Sequence, residues 1–123
     1  MQSEQLTRLV VEALEGVKAV DVRVMDVRGM TDITDFMVVA SGRSNRQVRA
    51  LAEQVVEAAK LAGVIPLGTE GEAQAEWVLV DLGDVVVHAM QPETREFYAL
   101  EKLWSNGRSS RHKAAAAGER PEA

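Results

Sequence analysis

The 123-residue chain contains no cysteine. Disulfides, thiolate metal sites and thiol nucleophiles are therefore excluded, and the absence fits a reducing cytosol. Histidine is almost as scarce. His88 and His112 are the only two, and their separation does not suit the ligand spacing of a zinc site. No apolar run approaches the roughly 20 residues that a membrane-spanning helix requires. The amino-terminal segment MQSEQLTRLVVEALEG lacks a basic flank leading into an apolar run, so it reads as an amphipathic helix and not as a signal peptide. The expectation is a cytoplasmic protein without membrane association.

Hydrophobic residues make up 46% of the chain and charged residues 27%, which is the composition of one ordinary globular domain. The charge is unevenly divided. Residues 1–104 hold 10 Lys+Arg against 17 Asp+Glu, a formal −7, whereas residues 105–123 hold 4 against 2. A body of that sign repels a phosphate backbone, since nucleic-acid binding rests on cationic contacts that release counterions. It suits a basic protein partner, although mild acidity also serves solubility alone.

Hydrophobic periodicity supplies the elements. Leu6, Leu9, Val10, Ala13 and Leu14 share one helix face, and Gly16 stands where a left-handed cap is expected. Val20, Val22 and Val24 alternate with Asp21, Arg23 and Met25 as in a half-buried strand. Phe36 to Ala40 is a continuous apolar run, the pattern of a central strand covered on both faces. Ser44 and Gln47 have the spacing of a capping box ahead of a helix with Val48, Leu51, Ala52, Val55 and Ala59 as its buried stripe. Gly63 ends that helix. Val64 to Leu67 is a candidate short strand, confined by Pro66 to an edge or bulge, and Gly68 to Ala75 reads as a loop. Pro92 suits the first turn of a last helix striped with Phe97, Leu100, Leu103 and Trp104. Beyond Trp104 the periodicity stops, and residues 105–123 read as a disordered polar tail following a domain of residues 1–104. The order is α-β-β-α-β-β-β-α: an α/β fold with a mixed β-sheet of about five strands flanked by helices.

The most informative segment runs from Glu76 to Met90. Two apolar stretches are joined by Gly83-Asp84, which predicts a tight hairpin with a type II′ turn and Leu82 facing Val85. Counting back from the turn puts Val78, Val80, Leu82, Val85, Val87 and Ala89 on one purely aliphatic face, the core. Trp77, Leu79, Asp81, Val86, His88 and Met90 fall on the other. That mixture suits a docking surface, because Trp is enriched among binding hot spots, Met adapts to irregular contacts, and Asp and His supply direction. It also suits a face covered by a helix, with Trp77 as core and the polar groups satisfied locally.

Candidate chemistry is thin. Ser41 and Ser44 have no evident histidine partner for nucleophilic catalysis. Asp32 with Asp35, and Asp81 with Asp84, could bind magnesium, but acidic residues at turns ordinarily serve turn formation. The loop Ser41-Gly42-Arg43-Ser44-Asn45-Arg46 leads from a strand into a helix amino terminus and could hold a phosphate. It matches no P-loop or dinucleotide fingerprint, and helix capping accounts for the same residues. No catalytic residue, cofactor or metal ligand is assigned.

The segments Thr34 to Val48, Glu70-Gly71, Trp77 to His88 and Arg95 to Trp104 resemble the Iojap family of ribosomal silencing factors in order and spacing, across roughly residues 5–104. Phe36 departs from the tyrosine common in that family. The resemblance implies a nucleotidyltransferase-like fold without known transferase activity. It implies binding of the large ribosomal subunit through universal large-subunit ribosomal protein fourteen, hindered joining of the small subunit, and reduced translation when nutrients are scarce. On that reading Trp77 anchors the contact, Leu79, Val86 and Met90 enlarge it, and Asp81 and His88 meet polar or cationic groups. No specific nucleic-acid contact is expected. Two copies docked through the Trp77 face would mask it, so a homodimer of the free protein is a further expectation. The competing class is a nucleotide-binding or nucleotidyltransferase-type enzyme using Ser41 to Arg46.

Overall fold

The protein, seen here in a computed structural model, is described over residues 1–104 and the strand segment Arg108–Arg111. The first helix, α1 (Ser3–Gly16), buries Leu6, Val10, Val11, Ala13 and Leu14. Its exit differs from expectation: Gly16 remains helical, and the left-handed residue is Lys18, at φ 63°. The chain turns there because the Lys18 and Ala19 amides reach back to the carbonyls of Glu15 and Leu14.

Strand β1 (Val20–Asp26) pairs antiparallel with β2 (Phe36–Ser41), and the register shifts between Val20 and Arg23, around Asp21 at φ 53°. From Val22 onward the strand alternates as expected, with Val22 and Val24 towards one cluster of buried side chains and Met25 towards another on the opposite face. Met25, which the periodicity groups with Asp21 and Arg23, is fully buried. The long helix α2 (Asn45–Leu61) follows with the expected stripe of Val48, Leu51, Ala52, Val55 and Ala59, and Gly63 ends it in the left-handed region. Ser44 Oγ accepts from the Gln47 amide at 3.1 Å. Gln47 Oε1 accepts from the Arg43 amide, one residue earlier than the reciprocal capping bond would run.

The next strand, β3 (Gly68–Glu70), lies later than Val64 to Leu67. Pro66 offers no amide, so pairing begins only at Leu67, whose amide donates to the Asp81 carbonyl. The hairpin β4 (Trp77–Asp81) and β5 (Val85–Met90) has the expected register, with Asp81 opposite Val86 and Trp77 opposite Met90. Gly83 is left-handed at φ 89° and Asp84 is not, as a type II′ turn requires. Strand β5 then runs parallel to β2, Val39 beside His88 and Ser41 beside Met90.

The last helix is broken. Ala99, at φ 51°, separates α3 (Pro92–Tyr98) from α4 (Leu100–Trp104), so the four apolar residues do not form one stripe. Leu100 and Trp104 pack inward, whereas Phe97 and Leu103 face solvent. Within the expected tail, strand β6 (Arg108–Arg111) pairs antiparallel with β1, from Arg23 opposite Arg111 to Asp26 opposite Arg108. The rest of that tail lies outside the described residues. The sheet order is β3-β4-β5-β2-β1-β6, mixed as expected and one strand wider.

One face of the sheet packs against α1 and α2 in the main core, which takes in Val38, Val78, Val80, Val85 and Val87. The other face holds a smaller cluster of Met25, Val27, Val39 and Met90, with Met37, Trp77, Leu100 and Trp104 against it. The expected helix cover is thus only partial. The carboxyl-terminal helices cover one end of it and leave the remainder open.

Candidate functional site: the Trp77 face

Because strand partners share a face, Trp77, Leu79 and Asp81 of β4 stand beside Met90, His88 and Val86 of β5. The sequence-derived set is therefore brought together, but its members are not equivalent. Met90 is fully buried and offers no surface. His88 is 4% exposed and Val86 8%. Met90, His88 and Val86 therefore present little side-chain surface for direct contact in this structure, and Leu100 and Trp104 pack against the cluster that holds Met90. Trp77, Leu79 and Asp81 remain half-buried. One oxygen of Asp81 is already engaged, accepting from the Gly83 amide at 2.9 Å, so this carboxylate braces the hairpin turn as well as facing outward.

His88 has a supporting role. Its Nδ1 accepts the Trp77 indole N–H at 3.0 Å, which fixes the height and tilt of the indole. Nδ1 can accept only in the neutral tautomer that carries its proton on Nε2. Burial lowers the His88 pKa to about 4, with the Glu101 carboxylate opposing the shift, so the imidazole is neutral around pH 7. Tyr98 holds the other side of the indole, its ring centroid 4.8 Å away, and Phe97 meets Tyr98 edge-on at 4.9 Å.

These two aromatic residues were missed as members of the site. Phe97 is 79% exposed, Tyr98 51% and Leu103 66%. The periodicity assigned Phe97 and Leu103 inward, and only the left-handed Ala99 turns them out. The resulting surface is an aromatic ledge, Trp77–Tyr98–Phe97, continuous with half-buried Leu79. Exposed apolar clusters of this kind mark interaction sites.

Arg95 holds the ledge in place. This buried residue donates from Nη1 to Ser41 Oγ at 2.9 Å and from Nε to Glu101 at 2.6 Å, and its Nη2 lies 3.6 Å from Asp21. It thereby ties α3 and α4 to the ends of β2 and β1. The Ser41 hydroxyl is committed to that network.

Several other groups of the Ser41–Arg46 loop are similarly occupied, whereas the Arg43 and Arg46 side chains are exposed. The Arg43 amide and Ser44 Oγ bond Gln47, while Asn45 donates to the Gln74 carbonyl and accepts from Gln91. These bonds cap α2 and fasten it to the β4 approach. Among the described residues no group of three or more histidine and carboxylate side chains converges as a metal site would require. No helix of the described residues is long and apolar enough to cross a membrane.

The described residues thus form a mixed α/β domain that carries a braced aromatic ledge. Comparison with known proteins identifies its family. The family model described as ribosomal silencing factor during starvation matches residues 1–123. A ribosomal silencing factor of Chromobacterium violaceum is 46% identical over 110 residues, covering 89% of this chain and 90% of that one. The corresponding protein of Haemophilus influenzae is 45% identical over 100 residues, covering 81% and 98%. A crystal structure of a Chromobacterium violaceum protein superposes with a TM-score of 0.85 at 42% identity, covering 99% of this chain and 92% of that one. A mouse protein named for mitochondrial assembly of the ribosomal large subunit is 36% identical over 100 residues, covering 79% of this chain and 44% of its own. The chain belongs to the ribosomal silencing factor family.

Proposed function

We propose that this protein docks on the large ribosomal subunit in the cytoplasm, through universal large-subunit ribosomal protein fourteen, and keeps the small subunit from joining. The observation that carries the reading is the Trp77–Tyr98–Phe97 ledge, braced from beneath by His88 and from the side by the Arg95 network. A rigid aromatic anchor loses little side-chain entropy on docking, and such anchors dominate interface energies. Leu79 and Asp81 extend the contact from β4, while Val86 and Met90 support it from within. A typical specific interface removes about 800 Å² per partner from water, which the ledge and adjoining strand face can supply. The formal −7 of residues 1–104 favours a basic ribosomal partner and speeds encounter with it.

The mechanism requires no bond to be made or broken. Occupying a surface that the small subunit must approach is sufficient, and translation falls with the fraction of large subunits covered. Light scattering of mixed ribosomal subunits tests this directly. The protein should lower the association amplitude in a dose-dependent manner, and pre-formed ribosomes should resist it. Association unaffected by a saturating excess would overturn the reading.

A further inference from the structure

A second surface lies on the helix side of the sheet, opposite the Trp77 ledge. Strand β3 is the outermost strand, and among the described residues it pairs only with β4. Its other edge presents main-chain donors and acceptors, a template on which an extended chain can add. Beside it, a cleft of about 550 Å³ runs between β3 and α2, lined by Arg49, Ala52, Glu53, Val56, Leu61 and Thr69 among others. Thr69 is the register partner of Val80 in the main core, so its side chain faces the helix layer. Side chains of an added strand in the same phase would enter the cleft.

The surroundings say what kind of chain fits. Leu61, in the lining of the cleft, is 83% exposed, and in the connection from α2 to β3 Ile65 is 71% and Leu67 73% exposed. The rim is acidic: Glu53, Glu57 and Glu72 line it and are all exposed. Against them stand Lys60 and Arg49, and the Arg49 guanidinium already donates to the carbonyls of Glu72 and Ala73. Main-chain pairing, an apolar floor and a net negative rim together specify one occupant.

We propose that the β3–α2 cleft binds an extended, lysine- or arginine-bearing segment of a protein partner, which adds as a strand to β3 and inserts alternate aliphatic side chains against Ala52, Val56 and Leu61. This site is independent of the Trp77 ledge and lies on the other side of the sheet, so both can be occupied at once.

The test uses the full chain, isotopically labelled for NMR, titrated with the capped heptapeptide KVKIKVK and with its acidic counterpart EVEIEVE. Saturable shifts with the basic peptide are expected at Gly68–Glu70 and along α2 from Ala52 to Leu61, accompanied by slowed amide exchange in β3. The Trp77 indole signal should stay in place. The variant E53R/E57R changes two exposed side chains and should keep its fold. It should bind the basic peptide at least tenfold more weakly and the acidic one more tightly. Its effect on subunit association should match the unmodified protein, which separates this site from the ledge. No saturable binding, equal binding of both peptides, or shifts centred on Trp77 would overturn the proposal.

Discussion

The Trp77 indole N–H donates to His88 Nδ1 at 3.0 Å, and both residues sit on the face that α3 and α4 half cover. This bond makes a buried histidine responsible for the posture of a partly exposed tryptophan. A docking residue held in one pose before the partner arrives loses less freedom on binding.

Trp77→Ala is therefore expected to weaken large-subunit binding by about 2 kcal/mol or more, roughly thirtyfold, as hot-spot truncations do. Cosedimentation with purified large subunits measures it. A folded variant that sediments like the unmodified protein would remove Trp77 from the interface.

Acid should act through His88. Its pKa is lowered to about 4 from the ordinary histidine value of 6.5, so between these values the unfolded chain takes up a proton that the native chain refuses. This contribution is unchanged above about pH 7, and stability falls as the pH drops from 6.5 towards 4. The loss totals about 3 kcal/mol, at about 1.4 kcal/mol per pKa unit. Urea unfolding across this range for the unmodified protein and His88→Gln isolates the effect, because carboxylate contributions cancel in the difference. Parallel curves would show that His88 titrates normally.

Arg95→Met should destabilise the fold by about 3–5 kcal/mol, the usual cost of breaking a buried ion pair from one side. It leaves Ser41 Oγ and the Glu101 carboxylate without the guanidinium that now joins them. Equilibrium unfolding gives the magnitude, and near-ultraviolet circular dichroism should show the Trp77 and Tyr98 signals weaken as α3 and α4 loosen. Unaltered stability would mean that the network contributes nothing.

Gly71 stands at φ 93°, and a Cβ there would meet the Trp77 carbonyl oxygen at 2.1 Å. Gly71→Ala should cost about 1–3 kcal/mol from the backbone conformation alone, with the clash adding to it. Since the displaced carbonyl belongs to Trp77, subunit binding should weaken as well. Thermal unfolding and cosedimentation on the same preparation check both. A variant as stable as the parent would show that the loop before β4 shifts freely.

Much of this architecture was legible in advance. The hairpin register followed from Gly83-Asp84, because a two-residue turn leaves one way to count back. The stripe of α2 and the central position of β2 were equally plain, since each depends on residues adjacent in sequence or one helical turn apart. Strand β3 was misplaced by a few residues, as the main-chain bond from Leu67 to Asp81 has no side-chain signature. Gly16 drew the left-handed position that Lys18 takes, because carbonyl geometry decides which residue closes a helix.

The sequence by itself determined which residues could face together on the hairpin, through the period of two and the turn that phases it. It also determined the acidic balance of residues 1–104, which is a sum and needs no coordinates. Only the tertiary structure decided who on that face meets water. The left-handed Ala99 folds Leu100 and Trp104 down over Met90 and turns Phe97 and Leu103 out, while His88 withdraws beneath Trp77. Exposure depends on what packs from elsewhere in the chain, and local periodicity carries no information about that.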